Sequence, residues 1–298
     1  MPGVAFVVNG SLVRGSGHFL ALCREAAARH GWRAEFLVTD KAEAGVAAAN
    51  SAALDGIDLV VAVGGDGTVR GCAEGLARTG VPLGIVPHGT ANLLARTLRI
   101  PGHPRAALAV ALAVTRDAAA VDRTIDLAVA DDEVPFTAMA GLGLDAAVVA
   151  GTRLKHQFGW LAYAVSGAAH LAGAPSRFSI SLDGAAPVER EARSVVVGNS
   201  GLLPGGFSLL PDARLDDGLL DVGVLAPHGP LGWPRLAARV LARSHHEDGM
   251  LERFQARKVE ISATAPLPRE VDGELVAASH SLTVTVVPSA LTVRMPRL

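Results

Sequence analysis

The sequence predicts two domains of different class, an α/β N-terminal domain built on a parallel sheet and a mainly antiparallel β-sandwich C-terminal domain. Three observations point there. Up to about residue 126, nearly continuous apolar runs alternate with segments of helical period. Beyond it, short alternating runs bounded by Gly, Pro and Asp replace that rhythm. A length of 298 residues also favours two domains over one, since domains hold roughly 100 to 200 residues.

Taken in order, Val4 to Val8 reads as a first strand and residues 19–29 as a helix ended by Gly31, a residue suited to the position just past a helix. Glu35 to Val38 is a second strand, Ala42 to Leu54 an Ala-rich helix and Ile57 to Val63 a third strand. A helix through about Arg78, a strand from Val81 to Val86, and helices at 90–98 and 105–114 complete this half. Strands apolar throughout are covered on both faces, which implies a parallel sheet between helices. In the second half, Arg177 to Leu182, Arg193 to Gly198, Leu219 to Leu225, Lys258 to Ala263 and Leu282 to Val287 read as strands, with helices near 153–172 and 231–244. The expected boundaries are 1–128 for the first domain, completed by the C-terminal segment 289–298, and 129–288 for the second.

Composition narrows the function. With 27 basic and 29 acidic residues the net charge is -2, so the basic excess typical of a nucleic-acid binder is absent and no nucleic-acid partner is expected. The three lysines are Lys41, Lys155 and Lys258, which leaves few places for a phosphate-binding lysine. Cys23 and Cys72 lack CxxC spacing; they read as two buried thiols in a reducing cytosol, not as zinc ligands. The apolar run at the N-terminus is too short for a signal sequence, so a cytoplasmic location is expected. From Gln157 to Ser176 no Asp, Glu, Lys or Arg occurs. Its Ala and Gly content and His170 favour a buried or interface-lying helix over a membrane-spanning one.

Chemistry concentrates in glycine-bearing turns. Gly64-Gly65-Asp66-Gly67-Thr68 follows the third strand and opens a helix; glycines let the backbone approach a phosphate, and the helix N-terminus adds positive potential. Asp66 is placed either to serve Mg2+ or to cap a helix. Pro87-His88-Gly89-Thr90-Ala91-Asn92 follows the fourth strand in the same way. Thr90 and Asn92 are candidates for both capping and ligand contact, and the two turns are expected to meet at one site. Neither GxxxxGK[ST] nor a GxGxxG after the first strand occurs, so the phosphate site is of another kind. Near the C-terminus, Asp272-Gly273-Glu274 reads alone as a hairpin turn.

Together these residues resemble the diacylglycerol-kinase catalytic-domain family of lipid kinases, related to sphingosine kinases and more distantly to NAD kinases. The resemblance rests on Gly64 to Thr68, on Pro87, Gly89, Thr90 and Asn92, on Asp272-Gly273-Glu274, and on Gly141 to Ala146, Gly198-Asn199 and Pro211 to Asp221 between them. It implies ATP as co-substrate and Mg2+ as cofactor. The nucleotide contacts would be Asn9, Gly64, Gly65, Asp66, Gly67, Thr68, Gly89, Thr90 and Asn92, with Asp66 also in the catalytic Mg2+ network. Asp272 would be the base that takes the proton of a lipid hydroxyl, with Glu274 beside it. A structural Mg2+ would sit on the Asp217 carboxylate and the carbonyls of Arg214 and Leu219, an oxygen set suited to a hard cation. Two departures stand out: Asn9-Gly10-Ser11 replaces the usual NPxSG, and Ala138 stands where an Asn is common.

The function expected is transfer of the ATP γ-phosphate to a hydroxyl of diacylglycerol or a related lipid, by a cytoplasmic enzyme touching the membrane surface peripherally. Two alternatives stay open: an NAD-kinase-like enzyme with a soluble acceptor, whose TxxTPTGSTAY-like run is missing here, and a non-catalytic nucleotide- or lipid-binding protein. Oligomeric state is not legible, and a homodimer remains open.

Overall fold

A computed structural model of the chain describes residues 1–10, 12, 17–39, 45–113, 120–131, 133–143, 175–203, 207–229, 231–242 and 249–297. It divides into two compact units, Met1–Asp126 with Ser289–Leu298, and Leu127–Pro288.

The first unit alternates strands and helices: β1 (Gly3–Asn9), α1 (Gly17–Arg29), β2 (Arg33–Thr39), α2 (Val46–Leu54), β3 (Leu59–Gly64), α3 (Asp66–Leu76), β4 (Leu83–Pro87), α4 (Leu93–Thr97) and α5 (Pro104–Ala111). Its sheet runs β2-β1-β3-β4 and is parallel, with Val8 opposite Val63 and Val63 opposite Val86. Val4 to Val8 and Leu59 to Val63 are fully buried, as strands covered on both faces must be; each such side chain contributes on the order of 1.5–3 kcal/mol. β2, at the edge, leaves Val38 exposed. The C-terminal segment adds a parallel partner to β4 through Val293 and Leu83. Arg294 locks it there: its guanidinium donates to both oxygens of Asp122 at 2.7 and 2.8 Å and to the Ala113 carbonyl, while the Ser289 N–H donates to Asp126.

Antiparallel strands make up the second unit. In chain order they are β5 (Ala120–Ala130), which begins in the first unit, then β6 (Val134–Phe136), β7 (Met139–Leu142), β8 (Ser176–Leu182), β9 (Val188–Ala192) and β10 (Ser194–Gly198). β11 (Leu202–Leu203), β12 (Phe207–Ser208), β13 (Leu220–Leu225), α6 (Gly232–Leu241), β14 (Leu251–Ala256), β15 (Lys258–Val271) and β16 (Glu274–Pro296) follow. The main ladder runs β14-β13-β10-β7-β15-β16, with β8 on β15 and β9 on β8. Phe136, Phe178, Leu142, Val197, Val222, Val259 and Val284 form its core.

The fold class is the one the sequence predicts, and the departures are local. The helix expected from Thr90 begins at Leu93, because Asn92 takes a left-handed φ of 48°. β7 and β14 were not anticipated, and the strands expected at 258–263 and 282–287 extend into one long hairpin. The helix expected near 153–172 and most of the uncharged segment from Gln157 lie outside the described residues, as do Ser11 and Asp145.

Candidate active site

In the first unit, parallel register brings the carboxyl ends of β1, β3 and β4 to one edge of the sheet. Asn9, Gly64 to Thr68 and His88 to Asn92 therefore share that edge. The two glycine turns are joined there. The His88 N–H donates to the Gly64 carbonyl at 2.8 Å. Asp66, half-buried, reaches across: its Oδ2 accepts the Asn92 N–H at 2.8 Å and its Oδ1 the Leu93 N–H at 2.6 Å. The carboxylate thus caps α4, the helix of the other turn, and not α3, which it begins. Each oxygen keeps a second lone pair. Within the second turn, Asn92 Oδ1 accepts the Gly89 N–H and its Nδ2 donates to the Gly89 carbonyl, at 2.9 and 2.7 Å.

Close approach of the two turns explains why glycine occupies both. A Cβ on Gly89 would stand 2.6 Å from the Gly65 Cα and 2.8 Å from Asn92 Oδ1, separations that no side chain tolerates. Thr90 is exposed on this edge, whereas Thr68 is buried with its N–H donated to the Gly65 carbonyl. What results is a double turn at one sheet edge, with the N-terminus of α3 and the exposed Thr90 beside it, a geometry able to receive a polyanion.

In the second unit, Asp272 and Gly273 are the two central residues of the hairpin between β15 and β16, with φ of 47° and 78°, and Val271 pairs with Glu274. Positive φ at both positions marks the primed turn that Asp-Gly favours. Asp272 does more than turn the chain. Only 9% exposed, its Oδ2 accepts the Thr137 N–H at 3.0 Å and the Thr137 hydroxyl at 3.2 Å, while Oδ1 accepts the Ala138 and Met139 N–H groups at 2.8 and 3.1 Å. Its own N–H donates to the Met139 carbonyl. Four donors on one carboxylate stabilise the anion. Ala138 enters this cradle through its backbone, so the missing Asn side chain leaves the contact to Asp272 intact. Glu274 is exposed at the start of β16.

The loop before β13 holds the third predicted group. Asp217 is exposed, and its Oδ1 accepts the Leu219 N–H at 3.0 Å; the Arg214 side chain engages Asp216. Among the described residues no three His, Cys, Asp or Glu side chains converge as metal ligands, a convergence that one carboxylate with two carbonyls does not require. The local field is negative: burial, then the charges of Asp217 and Asp212, push Asp221 up to about 6. The exposed Asp217 carboxylate in this field is an oxygen donor of the kind a hard divalent cation takes.

Three residues at these sites escaped the sequence reading. Thr137 supplies a hydroxyl to Asp272 from 135 positions away. Asp221 is buried with its Oδ2 unsatisfied. Glu270, 8% exposed, accepts the Gly273 N–H at 2.9 Å, and burial together with the Asp272 charge raises it to about 7. A carboxylate two positions before Asp272 was the one visible signal. The cysteines are buried and their thiols pushed up to about 12 by burial, which leaves them inert at neutral pH.

Comparison with known proteins follows the same division. Residues 4–123 match the diacylglycerol kinase catalytic domain, and residues 138–295 match the YegS C-terminal NAD kinase beta sandwich-like domain. The "Probable lipid kinase YegS-like" of Pseudomonas aeruginosa strain UCBPP-PA14 is 36% identical over 252 residues, covering 81% of this chain and 78% of the relative. Its counterpart in Pseudomonas putida is 34% identical over 272 residues, covering 89% and 86%. A crystal structure described as "a putative diacylglycerol kinase from Bacillus anthracis str. Sterne" superposes with a TM-score of 0.80 at 24% identity, over 98% of this chain and 94% of that one. An NAD kinase from Archaeoglobus fulgidus in complex with ATP gives 0.56 at 15% identity, over 97% and 92%. The two structural likenesses show a shared fold.

Proposed function

Since the chain belongs to the diacylglycerol kinase catalytic-domain family of YegS-like lipid kinases, we propose that it transfers the γ-phosphoryl group of ATP to a hydroxyl of diacylglycerol or a related lipid at a membrane surface. The observation that carries the phosphate half of this reading is the Asp66 carboxylate tying the two glycine turns together. Phosphoryl transfer passes through a loose transition state, so the protein's task is to position groups and offset charge. Gly64 to Thr68 and Gly89 to Asn92 line the ATP phosphates, with the N-terminus of α3 and the exposed Thr90 toward them and Asn9 on the same edge. No lysine stands in either turn. Bound Mg2+ supplies positive charge to the phosphoryl oxygens.

Asp272 takes the proton from the acceptor hydroxyl. Because its carboxylate already accepts four hydrogen bonds, one has to yield at that moment. The Thr137 hydroxyl, at 3.2 Å the longest of the four, can rotate, whereas the backbone donors cannot. Glu274 lies one residue past the turn. Asp217, with the carbonyls of Arg214 and Leu219, would hold a second, structural Mg2+. Among the described residues no helix is long and apolar enough to cross a membrane.

The test is incubation of the purified protein with Mg-ATP and micelles of diacylglycerol, ceramide, a sphingoid base or phosphatidylglycerol. Phosphorylation of at least one lipid is expected. NADP formation from NAD with every lipid left unmodified would redirect the reading to a soluble acceptor, and tight ATP binding without any transfer would leave a binding protein.

A further inference from the structure

We propose that Glu270 is the positioning residue for Asp272, holding the Asp272–Gly273 turn through the Gly273 N–H and setting the proton affinity of the Asp272 carboxylate through its own charge. The inference rests on the assignment of Asp272 as the base. Glu270 is the penultimate residue of β15, opposite Gly141 of β7 and Leu275 of β16. Two residues further on, both central positions of the turn have the left-handed φ that Asp-Gly accepts, and a local clasp ties the turn back to β15. The Glu270 Oε2 provides it by accepting the Gly273 N–H at 2.9 Å. Asp272 itself is fixed from the other side by Thr137, Ala138 and Met139. The turn is thereby held at both of its residues.

The electrostatics follow from the same placement. Among the described residues, Asp272 is the charged group whose field acts on Glu270. The residues opposite it on β7 and β16 do not titrate, and Arg269 beside it is engaged by Asp131 and the Ala277 carbonyl. Buried with 8% exposure, Glu270 ionises only at about 7, raised first by burial and also by Asp272. Coupling acts in both directions: when Glu270 ionises, its negative charge raises the affinity of Asp272 for a proton. A base that binds the hydroxyl proton more strongly is a better base. Turnover therefore rises as pH passes through the titration of Glu270.

The experiment compares wild type, Glu270→Ala and Glu270→Gln with saturating Mg-ATP and an acceptor lipid, from pH 6 to 8.5. Glu270→Ala is expected to lower kcat by about 10-fold or more, with KM for ATP within about twofold. Glu270→Gln keeps an acceptor for the Gly273 N–H, so it recovers most of that loss, yet it lacks the roughly 3- to 10-fold rise in kcat shown by wild type across pH 7. A kcat for folded Glu270→Ala within twofold of wild type overturns the proposal, as does a rise retained in Glu270→Gln or missing in wild type. Should Glu270→Ala fail to fold, the Glu270→Gln profile decides. A readout independent of turnover is the carbon-13 NMR titration of the Glu270 carboxyl in the full chain. The Asp272→Asn variant is expected to move it to lower pH, and an unmoved titration overturns the coupling. This result stands even where no lipid is phosphorylated, which separates failure of the inference from failure of the kinase reading.

Discussion

Asp272 accepts four hydrogen bonds from residues some 135 positions earlier in the chain, so its carboxylate is set in place before any substrate arrives. An amide in its position keeps one accepting oxygen and turns its NH2 toward two donors. Asp272→Asn is therefore expected to cost about 1–3 kcal/mol of stability through unpaired buried groups, read as a fall in the urea midpoint; an unchanged midpoint would show that the four bonds are not made in solution. Asp66 is tested in the same way. Asp66→Ala removes both acceptors from the start of α4 and is expected to cost about 1–3 kcal/mol together with most of the ATP affinity, measured by titration calorimetry. Asp66→Asn, keeping one acceptor, falls between Asp66→Ala and wild type.

At the scale of elements, the backbone contact between the turns after β3 and β4 makes glycine obligatory at 89. Gly89→Ala must push the two turns apart, and it is expected to weaken ATP binding at least 10-fold while hydrogen exchange in β7, β10 and β13 stays as in wild type. Exchange that rises equally in both units would contradict a local effect. These turns were legible in the sequence because glycine, Asp and Thr directly after an apolar strand have few other uses, and the parallel half was legible because three of its strands, β1, β3 and β4, are apolar almost throughout. The β half was less so. Lys258 to Val271 and Glu274 to Thr285 form one long hairpin whose exposed stretches, such as Thr264 to Pro266, carry no alternation to mark them as strand. The partners of Asp272 were invisible for a plainer reason. Three of the four donors are backbone N–H groups, which no residue type announces, and they come from a segment brought alongside by strand pairing across the whole second half of the chain. Glu270 stood in view beside Asp272, but burial gives it its character, and burial within a charged stretch is not written in composition.

For the whole molecule, two buried carboxyls set a pH dependence of stability. Glu270 is raised from 4.5 to about 7 and Asp221 from 3.8 to about 6, each chiefly by burial. The folded state binds these protons more tightly than the unfolded one. Their contribution is thus fully present below the unfolded values and is lost as pH rises through about 6 for Asp221 and about 7 for Glu270. Glu270→Gln removes one of the two contributions: it should match wild type at pH 4 and exceed it by up to about 3 kcal/mol at pH 8, in urea unfolding at both values. A difference independent of pH would remove Glu270 as the titrating group. The near-neutral charge and three lysines acquire meaning at this scale as well. On the proposed kinase reading, phosphates would be left to the glycine turns, Mg2+ and arginines, and little long-range attraction would draw the protein to anionic lipid, so lipid contact should depend weakly on salt. Phosphoryl transfer to a lipid with Asp272 as base is tested by the initial rate of label transfer from γ-labelled ATP into diacylglycerol and the other lipid micelles, for wild type and Asp272→Asn side by side. A labelled lipid that depends on Mg2+ is expected, with the rate about 100- to 10,000-fold lower in the variant; no label in any lipid, or equal rates from the two proteins, would contradict the assignment.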